Sequence, residues 1–136
     1  MRLKVAHFYA RLGNFQSALE IFESNAIASS NDKLLKYGAK DNFLKAGMCA
    51  LAFDDLVRAQ EAIDKYASIS FEFKGSREMK FLEELVDATK ANDLDSFELS
   101  IREFDKISRL DPWKVNVLQQ VKALITKNTS GGGAFS

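Results

Sequence analysis

Few residues in this chain could do chemistry. His7 and Cys49 are the single histidine and the single cysteine in 136 residues. His7 falls in a helical pattern with no acid or nucleophile placed to partner it, so it reads as a structural or surface residue and not as a general base. Cys49 lies in the apolar run Ala46-Gly47-Met48-Cys49-Ala50-Leu51, where a free thiol behaves as a small hydrophobe. One cysteine forms no internal disulfide, and one Cys with one His cannot close a structural zinc site of about four N/S ligands. Gly131-Gly132-Gly133 lacks the Lys-Ser/Thr of a phosphate-cradling loop. Adjacent acids such as Asp54-Asp55 and Glu83-Glu84 point about 100° apart on a helix and make no carboxylate dyad. Neither an enzyme nor a resident cofactor or metal is expected.

Charge placement says more. Lys33, Lys36 and Lys40 are spaced i, i+3, i+7, which predicts one helix face. Arg77 and Lys80 form a similar pair further on. Acidic residues gather elsewhere, at Asp54, Asp55, Glu83, Glu84, Asp87, Asp93 and Asp95. The totals balance at 19 basic and 19 acidic residues. A protein that wraps nucleic acid carries a basic excess to neutralise phosphates, so that partner is not expected. Local patches of one sign remain possible within a neutral total.

The elements that must position these charges are helices. The chain is 46% apolar with one proline, and glycine is scarce before the tail. No useful stretch alternates as a strand does. Asn14 is placed to cap a helix with the stripe Phe15, Ala18, Leu19 and Phe22. Asp55 is placed to cap another, with Leu56, Ala59, Ile63 and Tyr66, and Asp93 a third, with Leu94, Phe97, Ile101 and Phe104. Tyr37 to Leu51 and Met79 to Ala88 are helical in pattern between them. Asp111-Pro112-Trp113 opens a last helix with a cap and a first-turn proline.

The capped segments repeat. Gly13-Asn14-Phe15 with Ala18 and Phe22 returns as Asp54-Asp55-Leu56 with Ala59 and Ile63, then as Asn92-Asp93-Leu94 with Phe97 and Ile101. The offsets are 41 residues (18 to 59) and 38 residues (59 to 97). This is the turn and second helix of a helical-hairpin repeat, with Ala6 and Tyr9 where a tetratricopeptide-like first helix carries its small and aromatic residues. The expected fold is all-α: a tetratricopeptide-like solenoid of about seven helices over 1–126, closed by the last helix. Polar residues 24–33 read as a hairpin connection, and the Gly/Ser-rich segment 127–136 as a flexible tail. Val5, Phe8 and Leu12 have no earlier partner, so the chain reads as the C-terminal part of a longer solenoid. In such a stack, the Lys33, Lys36 and Lys40 set and the Arg77 and Lys80 pair on successive hairpins would line one concave strip suited to a long acidic rod. No apolar run nears the ~20 residues of a spanning helix, and residues 1–7 do not read as a signal peptide. A reducing, cytosolic setting is expected.

Three stretches then carry a resemblance. They are Leu34-Leu35-Lys36-Tyr37-Gly38-Ala39-Lys40-Asp41-Asn42-Phe43, Ser76-Arg77-Glu78-Met79-Lys80-Phe81-Leu82, and Glu103-Phe104-Asp105-Lys106-Ile107-Ser108-Arg109-Leu110-Asp111-Pro112-Trp113-Lys114. From Leu3 to Thr126 the chain resembles the C-terminal half of the soluble NSF attachment proteins, alpha/beta type. The resemblance implies an adaptor that binds the four-helix SNARE bundle (syntaxin-type) and recruits and stimulates the hexameric ATPase NSF. It would work in the cytoplasm, peripheral on vesicle and target membranes through its partners. By position, Leu34, Lys36, Lys40 and Arg77 match SNARE-facing residues, and Asp55 and Asp87 match acidic residues facing the ATPase. Family members end in an acidic run with a penultimate leucine. Here the run is missing and Phe135 stands next to last, and two acidic family positions match Lys90 and Ala91. The residues alone also admit a helical-repeat scaffold of another pathway that clamps an acidic peptide, or a truncated relative without full adaptor activity.

Overall fold

Three tight turns set the architecture. Gly13, Asp54 and Asn92 have φ of 82°, 66° and 52°. This left-handed region is open to Gly and tolerated best, among other residues, by Asn and Asp. Each is followed by a capping residue: Asn14 Oδ1 accepts from the Ser17 amide at 3.3 Å, Asp55 Oδ1 from Arg58 at 2.9 Å, and Asp93 Oδ1 from Ser96 at 3.1 Å. The repeat legible in the sequence is thus a backbone repeat, turn for turn.

The computed structural model describes residues 3–133, and over them the chain forms seven α-helices and no strand. They are α1 (Leu3–Arg11), α2 (Phe15–Ser30), α3 (Ala39–Ala52), α4 (Leu56–Ile69), α5 (Arg77–Lys90), α6 (Leu94–Ile107) and α7 (Pro112–Gly133). The pairs α1–α2, α3–α4 and α5–α6 are hairpins that pack side by side, with α2 against α3 and α4 against α5. Second helices run parallel: Arg58 and Lys65 on α4 meet Gln16 and Glu23 on α2, one residue pair after the other along both helices.

The core runs through the stack. Phe43, Tyr66 and Phe73 form one aromatic group, with centroids 4.7 Å apart for Phe43–Tyr66 and 5.5 Å for Phe43–Phe73. Phe81 and Phe104 stack at 4.2 Å between α5 and α6. Gly47 allows α3 and α5 to approach closely: a Cβ there would stand 2.6 Å from Leu82 Cδ1. Val5, Phe8 and Leu12 are exposed.

Three expectations change. The 24–33 segment is no connection as far as Ser30, because α2 continues through it. Ala26 is buried and the polar side chains fold onto their own helix: Asn25 Nδ2 donates to Ile21 O at 2.9 Å and Ser30 Oγ to Ile27 O at 2.7 Å. The connection is 31–38, ending in a 3₁₀ turn, Lys36–Gly38. Consequently Lys33, Lys36 and Lys40 do not share one helix face; only Lys40 is on α3. Helical backbone also continues from Thr126 to Gly133, into the segment read as a tail, since adding residues to an existing helix is far easier than starting one.

The last helix takes an unforeseen course. Instead of stacking chiefly on the third hairpin, α7 lies against α3 and α1 and touches α6. The outer side of α5–α6 keeps an open groove floored by Phe81 and Phe104, with Leu99 and Ile107 exposed at its rim.

Candidate functional site

Antiparallel hairpins sort their loops to two ends. The turns at Gly13, Asp54 and Asn92 share one end, and the return connections 31–38, 70–76 and 108–111 share the other. Side-chain contacts agree. Arg77, at the start of α5, hydrogen-bonds Ser108 Oγ and donates to Phe104 O at 3.3 Å at the end of α6. Lys114, at the start of α7, pairs with Asp41, at the start of α3, at 2.7 Å.

The return end holds the four residues matched to a rod-shaped partner. Leu34 projects into solvent from a turn built by Asp32, whose Oδ1 accepts from the Leu34 and Leu35 amides at 2.7 and 3.2 Å. Lys36 Nζ lies 5.2 Å from the Tyr37 ring centre. Lys40 is half-buried in the first turn of α3. Arg77 differs from these three. Besides its hydrogen bonds, its guanidinium sits 4.9 Å over the Phe104 ring, so it braces α5 to α6.

The turn end is acidic. Asp55 caps α4 and Asp93 caps α6, while Asp54, Asp87 and Asp95 are exposed. Hydrogen bonds from Ser96 hold Asp93 below the ordinary carboxylate range. Asp87 lines a shallow groove with Glu84, Asp93 and Ser96, beside Ala91. Asp55 and Asp87 therefore belong to one end of adjacent hairpins. Phe135 lies outside the described residues.

Sequence reasoning missed a buried cluster under α7. Trp113 packs edge-on against His7 and Phe22, with centroids 5.0 and 5.1 Å away, and its Nε1 donates to His7 O at 3.3 Å. Beneath it, Lys45 pairs with Asp41 at 3.2 Å, and Lys114 with Asp41 at 2.7 Å and Asp111 at 3.3 Å. Both lysines are buried. The signal was Lys45 itself: a cation in the stripe Phe43–Leu51 requires a carboxylate partner.

The cluster is structural by its protonation states. Burial opposes charge on Lys114, but Asp41 and Asp111 outweigh it and raise its pKa. Lys114 thus stays an ammonium, and a nucleophilic lysine needs the neutral amine. Burial, reinforced by Lys45, lowers His7 below its usual value. Burial pushes the Cys49 thiol far up, away from the reactive thiolate. Among the described residues no group of His, Cys, Asp and Glu could hold a metal ion, and no helix is long and apolar enough to cross a membrane.

Helical hairpins stacked with a basic and an acidic end, with the buried titratable groups among the described residues held in packing, define the class as helical-repeat proteins. The sequence profile described as "Soluble NSF attachment protein, SNAP" matches residues 1–126. The chain belongs to the soluble NSF attachment protein family. It is 46% identical over 120 residues to the probable vesicular-fusion protein sec17 homolog of Neurospora crassa, covering 88% of this chain and 41% of that protein. It is 39% identical over 131 residues to the beta-soluble NSF attachment protein of Bos taurus, covering 96% and 44%. It is 36% identical over 127 residues to the alpha-soluble NSF attachment protein of Dictyostelium discoideum, covering 93% and 44%. The chain thus spans less than half the length of these curated relatives.

Proposed function

We propose that this chain is a non-enzymatic adaptor of vesicle fusion and intracellular protein transport. It binds SNARE complexes through its basic end and recruits and stimulates NSF through its acidic one. The observation that carries the reading is the separation of charge: Lys36 and Lys40 at the return end, beside the exposed Leu34, and Asp55 and Asp87 at the turn end. Two ends of opposite sign let one small domain hold an acidic rod and a basic partner at once without either contact blocking the other. On the family resemblance, Phe135 is assigned to NSF stimulation. The setting is the cytoplasm, with membrane association through partners. Contacts of this kind are salt-sensitive and reversible, which suits an adaptor released after each round.

The test is binding of the full chain to an assembled four-helix SNARE complex at ~0.15 M salt. Lys36→Glu combined with Lys40→Glu is expected to weaken binding at least roughly tenfold, as expected when like charges are juxtaposed. Unchanged binding overturns the reading. Arg77→Glu is unsuitable for this test, because it would also unbrace α6.

A further inference from the structure

The three most exposed large apolar side chains among the described residues are Leu34 at 90%, Phe71 at 86% and Ile107 at 75%. Single exposed hydrophobes are ordinary. These three, however, come from three successive steps of the stack, and all sit at the return end, in or beside the connections 31–38, 70–76 and 108–111. Each lies close in sequence to a contact that orders its backbone. Asp32 fixes the Leu34 turn. In the next connection Ser70 Oγ accepts from the Phe73 amide at 3.1 Å and Phe73 is fully buried, leaving Phe71 turned out. Arg77 pins the carbonyl of Phe104, one turn before Ile107.

Charge around the three tips is mostly of one sign. Lys33, Lys36, Lys74, Lys80 and Arg109 make no ion pair among the described residues. The acids of the same end are largely occupied. Asp32 serves the turn, Asp41 and Asp111 hold Lys114, Glu103 pairs with Lys106, and Asp105 Oδ1 accepts from the Leu110 amide at 2.8 Å. Glu72 and Glu78 remain, both half-buried.

We propose that the return end is a docking edge for an anionic lipid surface, with Leu34, Phe71 and Ile107 entering the headgroup boundary and the surrounding lysines and Arg109 facing the phosphates. Separated, protruding tips favour a bilayer over a helical partner, because a deformable interface accepts projections that a rod would meet with a groove. Apolar insertion and attraction to acidic headgroups act together in peripheral binding, and neither alone holds firmly. The inference goes beyond the adaptor reading, in which Phe71, Ile107, Lys74 and Arg109 have no part.

The experiment is co-sedimentation of the full chain, without partner proteins, with phosphatidylcholine vesicles that contain or lack phosphatidylserine. Binding is expected to the anionic vesicles and to fall as salt rises from ~0.05 to ~0.5 M. Phe71→Ser with Ile107→Ser is expected to reduce it roughly tenfold or more, and Lys33→Glu with Lys74→Glu likewise, with helical circular dichroism unchanged because all four side chains are exposed. No binding to anionic vesicles, or equal binding by either double variant, overturns the proposal. So does capture of an acidic helical peptide by the same tips in place of vesicles. The adaptor reading fails separately, on Lys36 and Lys40 and the SNARE complex.

Discussion

Residue by residue, the charged groups divide into those spent on the fold and those left for partners. Arg77 belongs to the first set, since its planar fork reaches Ser108 and Phe104 O while stacking on the Phe104 ring. A lysine cannot reproduce that combination. His7 is the residue whose chemistry is most testable, because the chain has only one histidine. Burial, with Lys45 close by, disfavours the imidazolium, so the folded pKa lies below 6.5. A group with a depressed folded pKa that is neutral when deprotonated stabilises the fold fully above its unfolded pKa. That stabilisation is lost as pH falls through the folded value. His7 should therefore titrate below 6.5 by NMR, and stability should decline as pH falls below that point. His7→Phe keeps a ring against Trp113 and should remove this part of the decline. Asp111, held down by the Lys114 amide and ammonium against its burial, loses its contribution only below 3.8, so the two windows separate. An unchanged acid slope in His7→Phe would assign the effect elsewhere.

At the scale of helices and turns, the legible features were the local ones. Asn14, Asp55, Asp93 and Asp111 were readable as caps because a cap needs only its own first turn, and all four accept an amide hydrogen bond there. Gly13, Asp54 and Asn92 fell into register because their residue types tolerate positive φ. The end of α2 was not legible, since Ser24 to Ser30 looks like loop until Ala26 finds the core. The α3–α5 contact was equally hidden: Gly47 sits in an apolar run and nothing in its neighbours names Leu82. Gly47→Ala should gain ~1 kcal/mol in helix propensity. The new methyl, however, would overlap the Leu82 side chain, which is fully buried and moves only by displacing its core neighbours. Overpacking of that kind costs about 1–3 kcal/mol, so a net loss of up to about 2 kcal/mol is expected in denaturant melts. Leu82→Ala is destabilising alone by about 2–5 kcal/mol. Combined with Gly47→Ala it should cost less than the sum, by roughly 0.5–3 kcal/mol of coupling. Strict additivity would mean that the two residues do not press on each other.

For the whole molecule the decisive element is α7. In a simple stack each hairpin touches only its neighbours, so stability is a sum of local terms and damage at one end leaves the other intact. Here α7 returns to α3 and α1, and Trp113 bonds His7 across a separation of 106 residues. The sequence marked where α7 starts, through Asp111 and Pro112, but not where it goes. Its direction depends on Trp113 finding His7 and Phe22, and Lys114 finding Asp41, at distances no local pattern encodes. The strap makes the first hairpin depend on the last helix. Trp113→Ala should cost about 2–3 kcal/mol, below the full range for a buried tryptophan because this one is only half-buried. It should also change the pattern of amide exchange. Residues of α1 should lose protection together with those of α7, while α5 and α6, which close on each other through Phe81, Phe104 and Arg77, keep theirs. If α1 exchanges as slowly in Trp113→Ala as in the parent chain, the stack is one-dimensional after all and α7 merely covers it. If α1 and α7 open together, the first hairpin and the last helix form one cooperative unit. The basic return end, where α3 and α7 both begin, is then rigid because Lys114 and Asp41 tie those two starts together.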